Sequence, residues 1–349
     1  MNVLTSLSSE RILSISPDAP EKLFSGDPTK AKSEYRALGR CWHPDHNPNP
    51  EAGRVFQHIS ALYKKALELI ETDSWRGPGT LELERGSSVF RRVSYFRIVP
   101  FELGEMYVGE REVVFSVRRQ YADLMENARK RIGEFRFADS RMKSEIVRCL
   151  PQDPEFFTTS ERLLMLLPKR ADLILLDDLR DYLGGRIAPR HVGWIQSTLH
   201  NLSCYLSYAG LVHNDIGPAT FFVSPKTHSG ALLGGWWYSC RAGAKLAALP
   251  QRTIQTAPAD VIRSKQADIR TDLELIRATG RELLGDPTGA HLKTDKRVPE
   301  HFARWFNGAT TGNAIEDYTL WREVLRKSFG PPRFIRLEAP VDAIYRRAA

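Results

Sequence analysis

Two short stretches set an imidazole two residues ahead of a carboxylate: His43-Pro44-Asp45 and His213-Asn214-Asp215. The first offers a rigid proline, an imidazole and a carboxylate at a turn, since Pro-Asp favours turns. It follows Lys32, Arg36 and Arg40, cations four residues apart that form one charged helix face and a dock for an acidic surface. The second lies in Leu211-Val212-His213-Asn214-Asp215-Ile216-Gly217-Pro218-Ala219-Thr220. There Asp215 is either a base or an acceptor for its own loop, and His213 reads first as a packed loop histidine. Asp172, Asp177 and Asp178 flank an apolar run with no histidine and no metal-ligand spacing, so capping or surface roles are expected. Trp236-Trp237-Tyr238 reads as core. The four cysteines, Cys41, Cys149, Cys204 and Cys240, make no Cys-x-x-Cys pair, which points to buried thiols in a reducing compartment.

The elements that position the first tripeptide are two amphipathic helices. Asp27-Pro28 is an N-cap followed by proline at the first helical position. Ala31, Tyr35, Leu38 and Trp42 then form one apolar stripe, and the residue before Pro44 must leave the helical region. Asn49-Pro50 repeats the cap-and-proline start for a helix over about Glu51 to Ile70. Its apolar positions include Val55, Phe56, Ile59, Leu62, Tyr63, Ala66 and Leu67. Such a pair must pack antiparallel to bury its stripes. A shorter helix near Glu21 to Phe24 covers one end, and the residues before Asp18 are expected to fray.

Together these features resemble the J-domain family over about residues 15 to 72. In that family a His-Pro-Asp tripeptide sits between two long antiparallel helices, and the basic face of the preceding helix docks on a DnaK-type chaperone. The resemblance assigns His43, Pro44, Asp45, Lys32, Arg36 and Arg40 to chaperone binding, and Tyr35, Leu38 and Phe56 to the core. No Gly/Phe-rich stretch or four-motif zinc region follows, so the J-domain is expected to be tethered to another targeting module.

Beyond the Trp75-Arg76-Gly77-Pro78-Gly79 break, strands are predicted at Thr80 to Glu84, Val89 to Val93, Tyr95 to Phe101 and Val113 to Val117. A helix near Tyr121 to Arg131 and a strand near Leu163 to Leu166 come next, and the chain is mostly helical from about Pro189. This order resembles a protein kinase, and the His213 loop resembles its catalytic loop, with Asp215 in place of the catalytic Asp. Asp272 would brace that loop. The resemblance also locates losses. Glu102-Leu103-Gly104-Glu105 has one glycine where a phosphate loop has several, Ser116 stands for the strand lysine, and Thr220 and Gly235 stand for the two metal ligands. Glu126 is the implied helix partner. Phosphoryl transfer is mostly positioning and charge neutralisation, so this half reads as a pseudokinase, with no catalytic residue, metal or cofactor expected.

The expected fold class is multi-domain: an all-α J-domain antiparallel helix pair, then an α+β kinase-like bilobal fold. The expected segments are 1–74 for the J-domain with its extension, 75–94 for a linker with extra strands, 95–167 for an N-lobe and 168–349 for a helical C-lobe. Proteins of this look resemble those encoded by large bacteriophages and some bacteria. The leading expectation is a co-chaperone adaptor whose partners are a DnaK-type chaperone and a client or assembly. One alternative is a divergent active kinase using Asp215 as base, with Arg118 or Arg119 replacing the lysine. Another is a nucleic-acid-binding protein, motivated by a net charge of +8, although no binding motif supports it. No run of eighteen apolar residues and no convincing signal peptide is present, so a cytoplasmic, non-membrane protein is expected.

Overall fold

A computed structural model describes residues 7–15, 17, 20–72, 75, 79–85 and 88–345, without the side chains of 84, 85 and 88–90. Arg76-Gly77-Pro78 and Arg346-Arg347, singled out in the sequence, lie outside the described residues. The fold combines helices with antiparallel sheet and divides into two compact units, residues 1–97 and 98–348.

In the first unit, α1 (Ser9–Leu13) is capped by the Ser8 hydroxyl and buries Ile12, so the segment expected to fray holds a helical turn. A 3-10 turn at Pro20–Lys22 leads into the buried Leu23 and Phe24. α2 (Pro28–Trp42) starts where Asp27 accepts the Lys30 N–H at 2.8 Å. α3 (Ala52–Glu71) begins later than the Asn49-Pro50 pattern suggested. The Asn49 side chain accepts the N–H of Glu51 and forms a turn ahead of the helix instead of capping it. Contacts between the helices run in opposite chain directions: His43 meets Phe56, while Tyr35 reaches Ser60 and stacks on Tyr63 at 4.3 Å. The pair is therefore antiparallel. Its core is Ala31, Leu38 and Trp42 against Val55, Ile59, Leu62 and Ala66. β1 (Thr80–Arg85) and β2 (Ser88–Phe101) pair antiparallel, and β2 continues past Arg97 into the second unit.

The second unit opens on a meander. β2 turns at Glu102-Leu103 into β3 (Gly104–Gly109), which pairs with β4 (Glu112–Arg118). α4 (Ala122–Gly133) and α5 (Ser140–Ile146) come next, then β5 (Glu155–Thr158) and β6 (Arg162–Pro168). The strand order is β2-β3-β4-β6-β5. Helices dominate thereafter, interrupted by small antiparallel pieces. β7 (Ile174–Leu175) precedes α6 (Leu176–Tyr182) and the long α7 (Pro189–Ala209). α7 ends at Gly210, whose φ of 69° is the left-handed cap that glycine adopts without strain. β8 (Leu211–Val212), β9 (Phe221–Ser224) and β10 (Ser229–Leu232) follow, with β9 between β7 and β10. β11 (Cys240–Arg241) pairs with β8. The chain closes with α8 (Gln251–Thr256), α9 (Ala259–Ser264), α10 (Ile269–Leu283), α11 (Glu300–Phe306), α12 (Ala314–Phe329) and α13 (Val341–Tyr345). The end of the chain docks back: Ile344 and Tyr345 are buried, and the Tyr345 hydroxyl accepts the N–H of Leu175. Among the described residues no helix is long and apolar enough to cross a membrane.

Candidate functional site

In the first unit the helix pair presents its connecting loop to solvent. His43 is extended (φ −64°, ψ 129°), which ends α2. Its carbonyl accepts the N–H groups of His46 and Asn47. The Asn47 amide donates to Cys41 O at 2.7 Å and its Oδ1 accepts the Asn49 N–H, so the turn is fixed from both sides. Within the tripeptide, His43 Nδ1 accepts the Asp45 N–H at 3.3 Å, and the Asp45 carboxylate lies 3.6 Å from the same nitrogen. The imidazole rests edge-on against Phe56 at 5.1 Å. The His43 side chain is 40% exposed and that of Asp45 76%, so a braced ring and an open carboxylate share one surface. Lys32, Arg36 and Arg40 are all exposed on α2, and none is in an ion pair among the described residues. The sequence pattern places these six residues on one helix and its loop.

In the second unit the His213 loop is buried. Asp272, at the start of α10 and wholly enclosed, accepts the N–H groups of His213 and Asn214, each at 2.8 Å. Asn214 sits at φ 66°, where its side chain donates to Tyr238 O at 3.0 Å. His213 Nε2 lies 3.1 Å from Gly234 O, and Nδ1 accepts the Asp215 N–H at 3.2 Å. Both ring nitrogens are thereby occupied by a neutral imidazole, and burial pushes its pKa down to about 3. Burial also pushes Asp215 up to about 8, against the pull of Arg252 and with help from Glu102 and Asp272. Asp215 is thus mostly protonated at neutral pH, and His213 has no lone pair left for a substrate.

Four other positions account for themselves structurally. Thr220 Oγ1 donates to Asp215 O at 2.6 Å and accepts the Gly217 N–H, so it knits the loop. Gly235 has φ 82°, and a Cβ there would stand 2.6 Å from His213 and 2.8 Å from Asp215 Oδ2, leaving no room for a carboxylate. Ser116 is buried on β4, and its carbonyl explains Gly104: a Cβ at Gly104 would lie 1.9 Å from it. Glu126 points to solvent and pairs with Arg129 at 3.5 Å. Its neighbour Asn127 faces inward instead, donating to the carbonyls of Trp237 and Ser239.

The groups around the loop are committed to neighbours within the unit. The Glu102 carboxylate accepts the Tyr238 hydroxyl at 2.7 Å and the Gln251 N–H at 3.0 Å, so the β2–β3 turn is tied down. Phe101, Phe115 and Trp237 pack together above the loop, with Phe101 stacked on Trp237 at 5.0 Å. Arg118 and Arg119 donate to Glu102 O and Ser160 O. The cation nearest the loop is Arg252, which is committed to Ile216 O, Glu282 and Thr279. Asn127 and Arg252 were not legible as site residues, because each acts through a contact far along the chain. Asp172 is held by Ser224 and Arg170, and Asp177 by Arg180. Among the described residues no three metal-ligating side chains cluster. The four cysteines are free; Cys149 is buried and the others are partly so. No model of a known protein family matches this chain, and no curated protein is detectably similar to it.

Proposed function

We propose that this protein is a J-domain co-chaperone that recruits a DnaK-type chaperone and stimulates its ATPase, with a catalytically degenerate kinase-like second unit serving as the adaptor. One observation carries the reading: an exposed His43-Pro44-Asp45 turn stands at the tip of an antiparallel helix pair, beside three cations with no ion-pair partner among the described residues. An unneutralised stripe of this kind favours an acidic protein surface and speeds its encounter. The adaptor half of the reading is supported by the His213 loop braced by Asp272, in a unit where antiparallel strands β3 to β6 precede a helical region. Degeneracy is supported by the commitment of Arg252 to other partners and by Gly235 lying where a carboxylate does not fit. Tethering a chaperone to a bound client raises its local concentration, which is the mechanism this arrangement offers. The working compartment is then that of the chaperone, the cytoplasm.

The test is steady-state ATP hydrolysis by a DnaK-type chaperone with the full chain and with His43→Gln. Stimulation by the native chain that disappears in the variant, with no hydrolysis by the chain alone, is the expected result. Absence of stimulation across a panel of such chaperones overturns the reading.

A further inference from the structure

A cavity of about 1190 Å³ opens between α7 and α12 in the second unit, with residues 330–335 along one edge. This exceeds the roughly 300–1,000 Å³ common for small-molecule sites, and suits a length of chain. The base is apolar. Gly193 on α7 brings the two helices close there, because a Cβ would already lie 3.0 Å from Leu325.

The rim is strongly basic. Arg148, Arg190, Arg322, Arg326 and Arg333 line it, against the single acid Glu323. Glu323 has Lys327 3.8 Å away, whereas none of the five arginines is in an ion pair among the described residues. Arg322 and Arg326 are exposed and one helical turn apart, so their guanidinium groups project from the same wall. Five like charges around an apolar floor repel one another until an anion enters, so the lining favours an occupant that carries negative charge as well as apolar groups.

Two further features separate peptide from nucleic acid. Asn201 lines the cavity and its amide has no partner among the described residues. One acceptor and two donors on a planar group complement a peptide bond. At the edge the His228 ring is stacked by Trp194 at 4.6 Å and by Phe334 at 4.1 Å, so that ring offers no face to a base.

We propose that the cleft between α7 and α12 binds an extended peptide segment of mixed acidic and apolar residues. The arginine rim holds its carboxylates and Asn201 pairs with its backbone. This names the client-side contact of the adaptor and rests on that reading for its biological role. The probe is a fluorescein-labelled peptide in which Glu alternates with Leu and Phe. It is titrated by fluorescence anisotropy with the full chain and no chaperone. Binding is expected to weaken with salt and by at least about tenfold in Arg322→Glu/Arg326→Glu and in Asn201→Ala. The same peptide with Lys for Glu, or Ser for Leu and Phe, should bind at least about tenfold more weakly. A thermal melt of each variant excludes unfolding, and the milder Arg322→Gln/Arg326→Gln replaces a variant that melts early. No binding of the acidic peptide, or binding indifferent to these substitutions, overturns the proposal. So does tighter binding of an oligothymidylate that the same variants abolish. Because no chaperone is present, a failure here leaves the ATPase result standing, and a silent ATPase assay leaves this one standing.

Discussion

Arg277 and Asp317 join the helix that braces the His213 loop to the helix that walls the cleft, and their removal tests whether that join is a paired charge. Arg277 on α10 and Asp317 on α12 are 1% and 0% exposed and 3.1 Å apart. The guanidinium also lies 3.4 Å over the Trp305 ring and donates to the carbonyls of Trp305 and Gly308. Asp317 accepts the Thr311 N–H at 2.8 Å through its other oxygen. In Arg277→Met the carboxylate stays buried without its cation, at a cost of about 3–5 kcal/mol. The abandoned Trp305 carbonyl adds about 1–3 kcal/mol. A loss of about 4–8 kcal/mol is therefore expected, much of the roughly 5–15 kcal/mol that holds a typical domain together.

Asp317→Leu alone leaves the cation buried, at about 3–5 kcal/mol, and orphans the Thr311 N–H, at about 1–3 kcal/mol more. In the double variant no charge remains buried, and only the orphaned carbonyl and the Thr311 N–H are left, for about 2–6 kcal/mol. Urea unfolding followed by tryptophan fluorescence reads this region, since Trp305 and Trp321 flank the pair. A coupling of several kcal/mol in the cycle is expected. Single losses that simply add in the double variant would refute the claim that the two charges act as a pair.

Gly235→Asp, which restores a carboxylate to the loop, should lower stability by about 2–4 kcal/mol in thermal melts instead of creating a metal site, because of the positive φ and the contact with His213. Stability should be nearly level between about pH 4 and 6.5 and fall from there to about pH 8. Asp215 and Asp272, raised to about 8 and about 7 by burial, keep protons that the unfolded chain releases near pH 4, so their contribution is lost progressively from about pH 4 to 8. The buried imidazoles of His200 and His213 stay neutral down to about 3 while the unfolded chain protonates below about 6.5, so they add stability as pH rises to 6.5 and offset the two carboxyls up to that point. Melts at pH 5, 6.5 and 8 check this (working pH values, about a unit and a half apart), and a melting temperature still rising at pH 8 would contradict it.

The helix pair was legible because its signals are local. Asp27-Pro28 marks a start, Ala31-Tyr35-Leu38-Trp42 gives the period, and Pro44 forces a stop; all three operate within a few residues. Asn49-Pro50 placed the start within one residue, at about Glu51 against Ala52, although the Asn49 side chain closes a turn there and does not cap the helix. β3 was missed because its alternation is short and Gly104 reads as loop, whereas that glycine serves the close approach of the β4 backbone. The loop brace was visible only through the resemblance that drew attention to Asp272. Nothing local marks Glu102 as the acceptor for Tyr238 and Gln251, which are 136 and 149 residues away in the chain. The arginine cleft was invisible for the same reason: its cations come from separate stretches and look like ordinary surface charge when read in order.

The two imidazole–carboxylate tripeptides show how little the pattern alone decides. Both fold the same way locally, with the histidine Nδ1 accepting the aspartate N–H two residues on, at 3.3 Å in one and 3.2 Å in the other. Their roles diverge through the second nitrogen and through access to water. In the exposed turn the remaining ring edge of His43 and the Asp45 carboxylate are open to another protein, and α2, which leads into the turn, carries three exposed cations with no ion-pair partner among the described residues. In the buried loop the second nitrogen of His213 is taken by Gly234 O, and burial keeps Asp215 protonated near neutrality. An exposed pair of this kind can recognise, because its polar atoms exchange water for a partner at small cost. A buried pair whose every nitrogen is satisfied can only hold its own loop, because releasing a hydrogen bond there leaves an unsatisfied group with no water to replace it. The enclosed His213 ring therefore favours a scaffolding role for the second tripeptide, and the exposure of the first suits it to the recognition proposed for it.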